Sequence, residues 1–175
     1  MQEIYLHPCD LWFGSGEFRL RTVLGSCVAI TLWHPASATG GMCHFMMSQY
    51  PASRKQNREG CYADSAMAVL QEKIRATGRR PQEFVAKLFG AGKMFCGAGQ
   101  SLECMPMRIQ QHNIAAGREL TEHYGHRVVA EHLGGRGHRQ LVFDITTGLA
   151  WLKHTPGDDC ERCVGCVSCA KECAI

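Results

Sequence analysis

Val-Leu-Gly-Ser-Cys-Val-Ala-Ile-Thr-Leu-Trp, at residues 23–33, is a glycine-containing segment that continues into apolar and β-branched residues, which predicts a buried strand. Residues 34–41 are rich in turn-forming residues, and residues 42–47 predict a strand that returns beside the first. In such a hairpin, a residue near the start of one strand lies within a few residues of being opposite one in the next. The hairpin therefore brings Cys27 close to His44, in a register that the sequence leaves open.

The rest of the chain predicts two helices and four more strands. Apolar residues at helical spacing predict helices over residues 62–77 and 110–124. The remaining strands are predicted at residues 84–89, 127–132, 140–144 and 149–153. This order of hairpin, helix, strand, helix and meander predicts an α/β fold, a mixed α-β sandwich of β-sheets flanked by helices, and argues against a doubly wound parallel sheet.

Composition limits the class of protein. The 175 residues, of which 45% are hydrophobic and 20% charged, suit one domain with a sizeable core. A net charge of +3, from 19 basic and 16 acidic residues, is too small and too dispersed to indicate nucleic-acid binding. No stretch approaches the roughly 18 apolar residues of a membrane span, and the first residues lack a basic leader. We therefore expect a cytoplasmic protein that does not insert into membranes.

Cys27 and His44 are candidates for a nucleophile and its base. A thiol is only slightly ionised near neutral pH, so a catalytic cysteine needs a neighbouring imidazole or backbone N–H groups. The turn at Gly25 and Ser26 offers such N–H groups to a developing oxyanion. The alternative is that both residues are ordinary core residues, since free cysteine is among the most buried residue types. Cys43 is a competing nucleophile, but in a strand it points away from His44; a metal site of the two cysteines and His44 lacks the usual ligand spacing.

Several segments, in the same order, resemble the CheD family of chemoreceptor glutamine deamidases. The resemblance covers residues 4–154. The matching segments are residues 24–28, 41–46, 62–66, 87–94, 113–114, 133–135 and 147–148, with Phe143 and Lys153. It implies a CheD-like cysteine hydrolase domain over residues 1–154, and the turn at residues 25–26 belongs to one of the matching segments.

The resemblance also implies an activity, that of a protein-glutamine glutaminase. The substrate is the side-chain amide of selected glutamines on the cytoplasmic helices of methyl-accepting chemotaxis proteins. Cys27 attacks the amide and forms a thioester, His44 accepts the thiol proton, and no cofactor is needed. The third catalytic residue of the family is a threonine shortly before the cysteine, which here is Thr22, with Arg21 as the alternative match. Members also bind the phosphatase CheC, so an adaptor with little catalysis is the alternative function.

The resemblance ends before a cysteine-rich extension at residues 155–175. Five of the eleven cysteines lie in its last 16 residues. They are Cys160, Cys163, Cys166, Cys169 and Cys173. From Cys163 onward the spacing matches a bacterial ferredoxin run, with alanine where proline is usual. The pattern predicts an iron–sulfur cluster or a zinc site, and the alternative is a disordered, oxidation-prone extension.

Overall fold

The computed structural model describes residues 1–49, 59–93, 105–156 and 173–174; at residues 59, 105–107 and 173–174 only the backbone is described. Ten strands and two α-helices lie in this part of the chain. In chain order they are β1 Gln2–Tyr5, β2 Leu11–Ser15, β3 Phe18–Leu24, β4 Val28–His34, β5 Thr39–Phe45, α1 Ala63–Ala76, β6 Val85–Gly90, α2 Met105–His123, β7 Arg127–Leu133, β8 His138–Asp144, β9 Ala150–Thr155 and β10 Cys173–Ala174.

The strands form two five-stranded sheets. Sheet A has the order β1-β3-β8-β9-β10, and sheet B has the order β2-β5-β4-β6-β7. Both sheets are mixed, because β1 runs parallel to β3 and β6 runs parallel to β7 while the other pairs are antiparallel. The helices contact strands of sheet B. The architecture is thus the predicted α/β class, with two sheets and a helical layer.

Two apolar cores hold the layers together. One lies between sheet B and the helices, where Met67, Leu70 and Ile74 of α1 meet Ile30 and Phe45. The other lies between the sheets and consists mainly of large apolar residues. These include Leu20, Leu24, Met42, Phe89, Leu141, Phe143 and Leu152. Alternate residues of β4 and β5 therefore face different cores, as the period of two in a strand requires.

The predicted hairpin is present, and its register is now defined. Strands β4 and β5 are antiparallel, with Ala29 opposite His44. The single strand predicted over residues 23–33 is two strands, because β3 ends at Leu24 and β4 begins at Val28. Residues 25–27 carry the chain from sheet A to sheet B, so the candidate nucleophile lies at the point of crossing.

The first 15 residues contain two strands that the sequence analysis did not predict. β1 extends one edge of sheet A, and β2 pairs with β5 at the edge of sheet B. Between these strands, Cys9 forms a disulfide with Cys61 across a sequence separation of 52 residues. This connection ties the β1–β2 segment to the start of α1.

In the described ranges, no helix is both long and apolar enough to cross a membrane.

The disulfide gives a stability prediction. Cross-linking residues 52 apart lowers the entropy of the unfolded chain. We expect the Cys9→Ser, Cys61→Ser double variant to lose about 3–4 kcal/mol of unfolding free energy. This corresponds to a melting temperature about 10 °C lower. Calorimetry with and without a thiol reductant measures the melting temperatures of both proteins.

The double variant is also the control for the reductant. Reduction should bring the wild-type melting temperature down to that of the variant and leave the variant unchanged. An equal response of both proteins to the reductant would contradict the assignment of the stabilisation to this disulfide.

Candidate active site

Thr22 and His44 meet between the two sheets. Thr22 lies in β3 of sheet A and His44 in β5 of sheet B. The Thr22 Oγ1 atom is 2.8 Å from His44 Nδ1 and 2.8 Å from the carbonyl oxygen of Leu6. Both side chains are buried, with Thr22 2% and His44 1% exposed. Tertiary packing therefore joins two polar residues that are far apart in sequence.

This contact determines where the proton sits on the His44 ring. The Thr22 hydroxyl has one proton, which it donates to the Leu6 carbonyl. Toward His44 the hydroxyl oxygen is an acceptor, so Nδ1 carries the imidazole proton. Nε2 is then the basic nitrogen, and within the described residues this buried atom has no hydrogen-bond partner. The ring is oriented as a general base would be.

Cys27 is on the face of sheet B that His44 occupies. It lies two residues before Ala29, which is directly opposite His44. Its side chain is partly buried and packs against the core between the sheets. The structure thus places the predicted nucleophile and base on one face.

The turn that carries Cys27 is held by the end of β6. The Ala91 N–H donates to the Cys27 carbonyl at 2.7 Å, and the Gly92 N–H donates to the Gly25 carbonyl at 2.6 Å. These bonds fix the orientation of the peptide planes on both sides of the turn. The backbone on both sides of the Ser26–Cys27 peptide is therefore hydrogen-bonded to the residues that follow β6.

Asn113 is a residue at this site to which the sequence analysis assigned no role. Its Nδ2 atom donates to the carbonyl oxygens of Met46, at 2.8 Å, and Ser26, at 3.3 Å. The signal in the sequence is a polar residue on the face of α2 that also carries Ala116 and Leu120, which pack on sheet B. Helical periodicity could have identified this buried position, but not its contacts.

Burial makes the candidate pair electrically neutral. It raises the pKa of the Cys27 thiol, an effect that the backbone N–H of Cys27 partly offsets. Burial likewise lowers the pKa of His44, while the nearby Leu6 backbone and the charge of Asp10 act in the opposite direction. At neutral pH the resting pair is therefore thiol and neutral imidazole.

The two competing residues face elsewhere. The Arg21 side chain is half-exposed and donates to the Glu3 carboxylate at 2.9 Å, so Thr22 is the residue that faces His44. Cys43 lies in the core beneath the helices, and burial raises its pKa to about 12. Because Cys43 points away from His44, these residues do not form the metal site considered above.

The predicted metal ligands of the extension lie mostly outside the described residues. Cys160, Cys163, Cys166 and Cys169 are not described, and of Cys173 only the backbone is, paired with Leu152 at the edge of sheet A. Among the side chains that the structure describes, no cluster of three or more histidine, cysteine, aspartate or glutamate residues could hold a metal ion.

A thiol, a neutral imidazole and a hydroxyl that orients the imidazole are the groups used by cysteine-dependent hydrolases. A family model described as CheD chemotactic sensory transduction matches residues 46–154. The chain belongs to the CheD family.

Named relatives match over most of the chain. "Probable chemoreceptor glutamine deamidase CheD 1" of Chromobacterium violaceum is 37% identical over 161 residues, which are 92% of this chain and 82% of the relative. "Probable chemoreceptor glutamine deamidase CheD" of Pseudomonas savastanoi pv. phaseolicola is 40% identical over 160 residues, which are 91% of this chain and 89% of the relative. A crystal structure of Bacillus licheniformis hypothetical protein YfiH matches 70% of this chain and 49% of that chain, with a TM-score of 0.43 and 14% identity.

The neutral pair predicts how the reactivity of Cys27 depends on pH. Because its pKa is raised, the thiol is protonated at neutral pH and forms thiolate only as the pH rises. We expect the rate of alkylation by iodoacetamide to increase steadily from roughly pH 7 to pH 9. Mass spectrometry of the peptide that contains Cys27 measures the rate.

The denatured chain is the control, since its Cys27 has the pKa of a solvated thiol. The folded protein should reach half of its maximal rate at a higher pH than the denatured chain. A rate that is already maximal near pH 6 would instead reveal a thiolate–imidazolium pair and overturn the neutral assignment.

Proposed function

We propose that this protein is a protein-glutamine deamidase that acts on the cytoplasmic helices of chemotaxis receptors. It converts selected glutamines to glutamates and releases ammonia. The names of the relatives support this proposal, as they match over most of the chain. The observation that carries it is the hydrogen-bonded series Leu6–Thr22–His44, which leaves a basic nitrogen on the face that Cys27 occupies.

The first half of the reaction forms a thioester. His44 Nε2 takes the proton of the Cys27 thiol, and the sulfur attacks the carboxamide carbon of the substrate glutamine. Backbone N–H groups of the turn at Gly25 and Ser26, and that of Cys27, stabilise the oxyanion. The His44 imidazolium then donates this proton to the carboxamide nitrogen of the substrate, and the C–N bond breaks to release ammonia.

The second half hydrolyses the thioester. His44 Nε2 removes a proton from water, and the oxygen attacks the same carbon. The C–S bond breaks, the sulfur regains the proton from the imidazolium, and the substrate leaves as glutamate. The reaction uses the side chains of the protein and one water molecule, with no cofactor.

Thr22 has a positioning role in this mechanism. Its oxygen accepts the Nδ1–H of His44, which keeps Nε2 unprotonated and stabilises the imidazolium when it forms. The backbone carbonyl of Leu6 holds the hydroxyl in the accepting orientation. A valine at this position would keep the shape of the side chain and lose the acceptor.

Mass spectrometry of a receptor cytoplasmic fragment tests the function. We expect wild-type protein to convert particular glutamines to glutamates and the Cys27→Ala variant to convert none, because the thioester cannot form. Cys43→Ala is the matched control, as it removes a buried cysteine next to His44 from the opposite face of the strand. It should retain activity.

The same assay separates the alternatives. Thr22→Val should lower the rate by about 10- to 100-fold, the equivalent of one lost hydrogen bond to a charged group, and Thr22→Ser should not. Activity in Cys27→Ala would contradict the nucleophile. No conversion by the wild-type protein would overturn the deamidase and leave the adaptor that binds receptors and the CheC phosphatase.

We further propose that residues 155–175 form a linker and a cysteine-rich tail that binds a metal ion or cluster, appended to a catalytic domain over residues 1–154. The spacing of Cys163, Cys166, Cys169 and Cys173 supports ligation, since thiolates at these intervals bind iron–sulfur clusters or zinc. Visible absorbance distinguishes the two kinds of site, because an iron–sulfur cluster absorbs visible light and a zinc site does not.

Metal analysis of the full chain, purified without oxygen, tests the tail. We expect iron with visible absorbance, or zinc without it, and loss of the metal in the Cys163→Ser, Cys166→Ser double variant. Deamidation by that variant should be unchanged if the tail is separate from the catalytic site. Protein that contains neither iron nor zinc would contradict metal binding.

A further inference from the structure

Asn113 lies where the pairing of the two site strands ends. The β4–β5 ladder has its last pair at Val28 and Phe45, so the next residues along, Cys27 and Met46, are beyond it. At this point the Asn113 side chain extends from α2 to the segment before β4 and to the segment after β5. It donates to the carbonyl oxygens of Ser26 and Met46. A side-chain amide thus connects the strands just past the last backbone pair.

The contact with Ser26 acts on the nucleophile. The Ser26 carbonyl and the Cys27 N–H belong to the same planar peptide group, so fixing one fixes the direction of the other. The Cys27 N–H is the backbone group that partly offsets the rise in the pKa of its own thiol. By holding the Ser26 carbonyl, Asn113 controls where this N–H points.

The contact with Met46 acts on the base. Met46 is two residues after His44 on the same chain, and its carbonyl accepts from Asn113 at 2.8 Å. One amide group therefore joins the peptide before the nucleophile to the chain that carries the base, and it sets the separation between them. Hydrophobic packing of α2 alone would not impose this distance, because apolar contacts are not directional.

The orientation of the amide is determined by its partners. Both contacts are with carbonyl oxygens, which only the NH₂ group can satisfy. The Asn113 Oδ1 atom is then buried, and within the described part of the chain it has no hydrogen-bond partner. An unsatisfied buried acceptor is destabilising, so asparagine is an unfavourable choice for stability alone.

We propose that Asn113 is a positioning residue that aligns the Cys27 N–H and thiol with His44. This inference rests on the deamidase proposed above and adds to it a residue that touches neither substrate nor reacting atoms. It acts through the Ser26–Cys27 peptide group and through the carbonyl of Met46.

The test compares Asn113→Ala with Gln110→Ala. Gln110 is a buried amide on the same helix that donates to the carbonyl of Gly135 at 3.4 Å, so its loss also removes a helix-to-backbone bond. For Asn113→Ala we expect kcat to fall by about 10- to 100-fold with KM within about threefold, because alignment and not binding is lost. Gln110→Ala should keep both constants near the wild-type values.

Alkylation of Cys27 provides a readout independent of deamidation. In Asn113→Ala the pH profile of the iodoacetamide reaction should shift to higher pH, since the N–H no longer stabilises the thiolate. Asn113→Leu, close to the same size but without donors or charge, should shift it in the same direction and serves if the alanine variant does not fold.

The outcomes are distinct. If wild-type protein deamidates nothing, the proposed function fails, and the alkylation profiles still decide the role of Asn113. If melting temperature falls in both folded Asn113 variants while kcat and the alkylation profile remain at wild-type values, Asn113 is only structural and the inference is overturned.

Discussion

The candidate site depends on the crossing of the chain from sheet A to sheet B at residues 25–27. The crossing is short, and its outer carbonyls are held by backbone N–H groups at the end of β6. Gly90 is essential to this approach, as its φ of +118° suits glycine and a β-carbon there would collide with the carbonyl of Cys27. The nucleophile candidate is thereby placed at the edge of the inter-sheet core on a fixed backbone.

The polar contact between the sheets is the second requirement. Thr22 and His44 occupy positions in an apolar core, where an unpaired polar group is costly. The Thr22 hydroxyl avoids this cost because it makes two hydrogen bonds: it donates to the Leu6 carbonyl and accepts from Nδ1 of His44. Of the polar side-chain atoms of these two residues, Nε2 of His44 has no hydrogen-bond partner within the described part of the chain, and it is the atom that the proposed reaction uses. The core thus orients the His44 ring and leaves Nε2 as the nitrogen that can accept a proton.

Local patterns explain which features could be predicted from the sequence. The β4–β5 hairpin and α1 were predicted because their apolar periodicity is strong and their ends carry turn residues. Short strands such as β1 and β10 have no such pattern, and the disulfide joins residues whose proximity depends on the whole fold. The candidate pair was predicted from residue chemistry. The orientation of the Thr22 side chain could not be predicted, because it depends on the backbone carbonyl of Leu6, which belongs to another segment of the chain.

Burial and reactivity are balanced at Cys27. A buried thiol with a raised pKa is a poor nucleophile at rest, and it is also less readily oxidised, since oxidation proceeds through the thiolate. The lowered pKa of His44 keeps the imidazole neutral and able to accept a proton over the same pH range. In the proposed reaction the thiolate forms when the proton moves to His44, and the backbone N–H groups at the turn stabilise the negative charge as it develops. Under that proposal, Cys27 becomes a strong nucleophile only as its proton moves to His44, and at rest, in a chain with eleven cysteines, it stays a protonated thiol that resists oxidation.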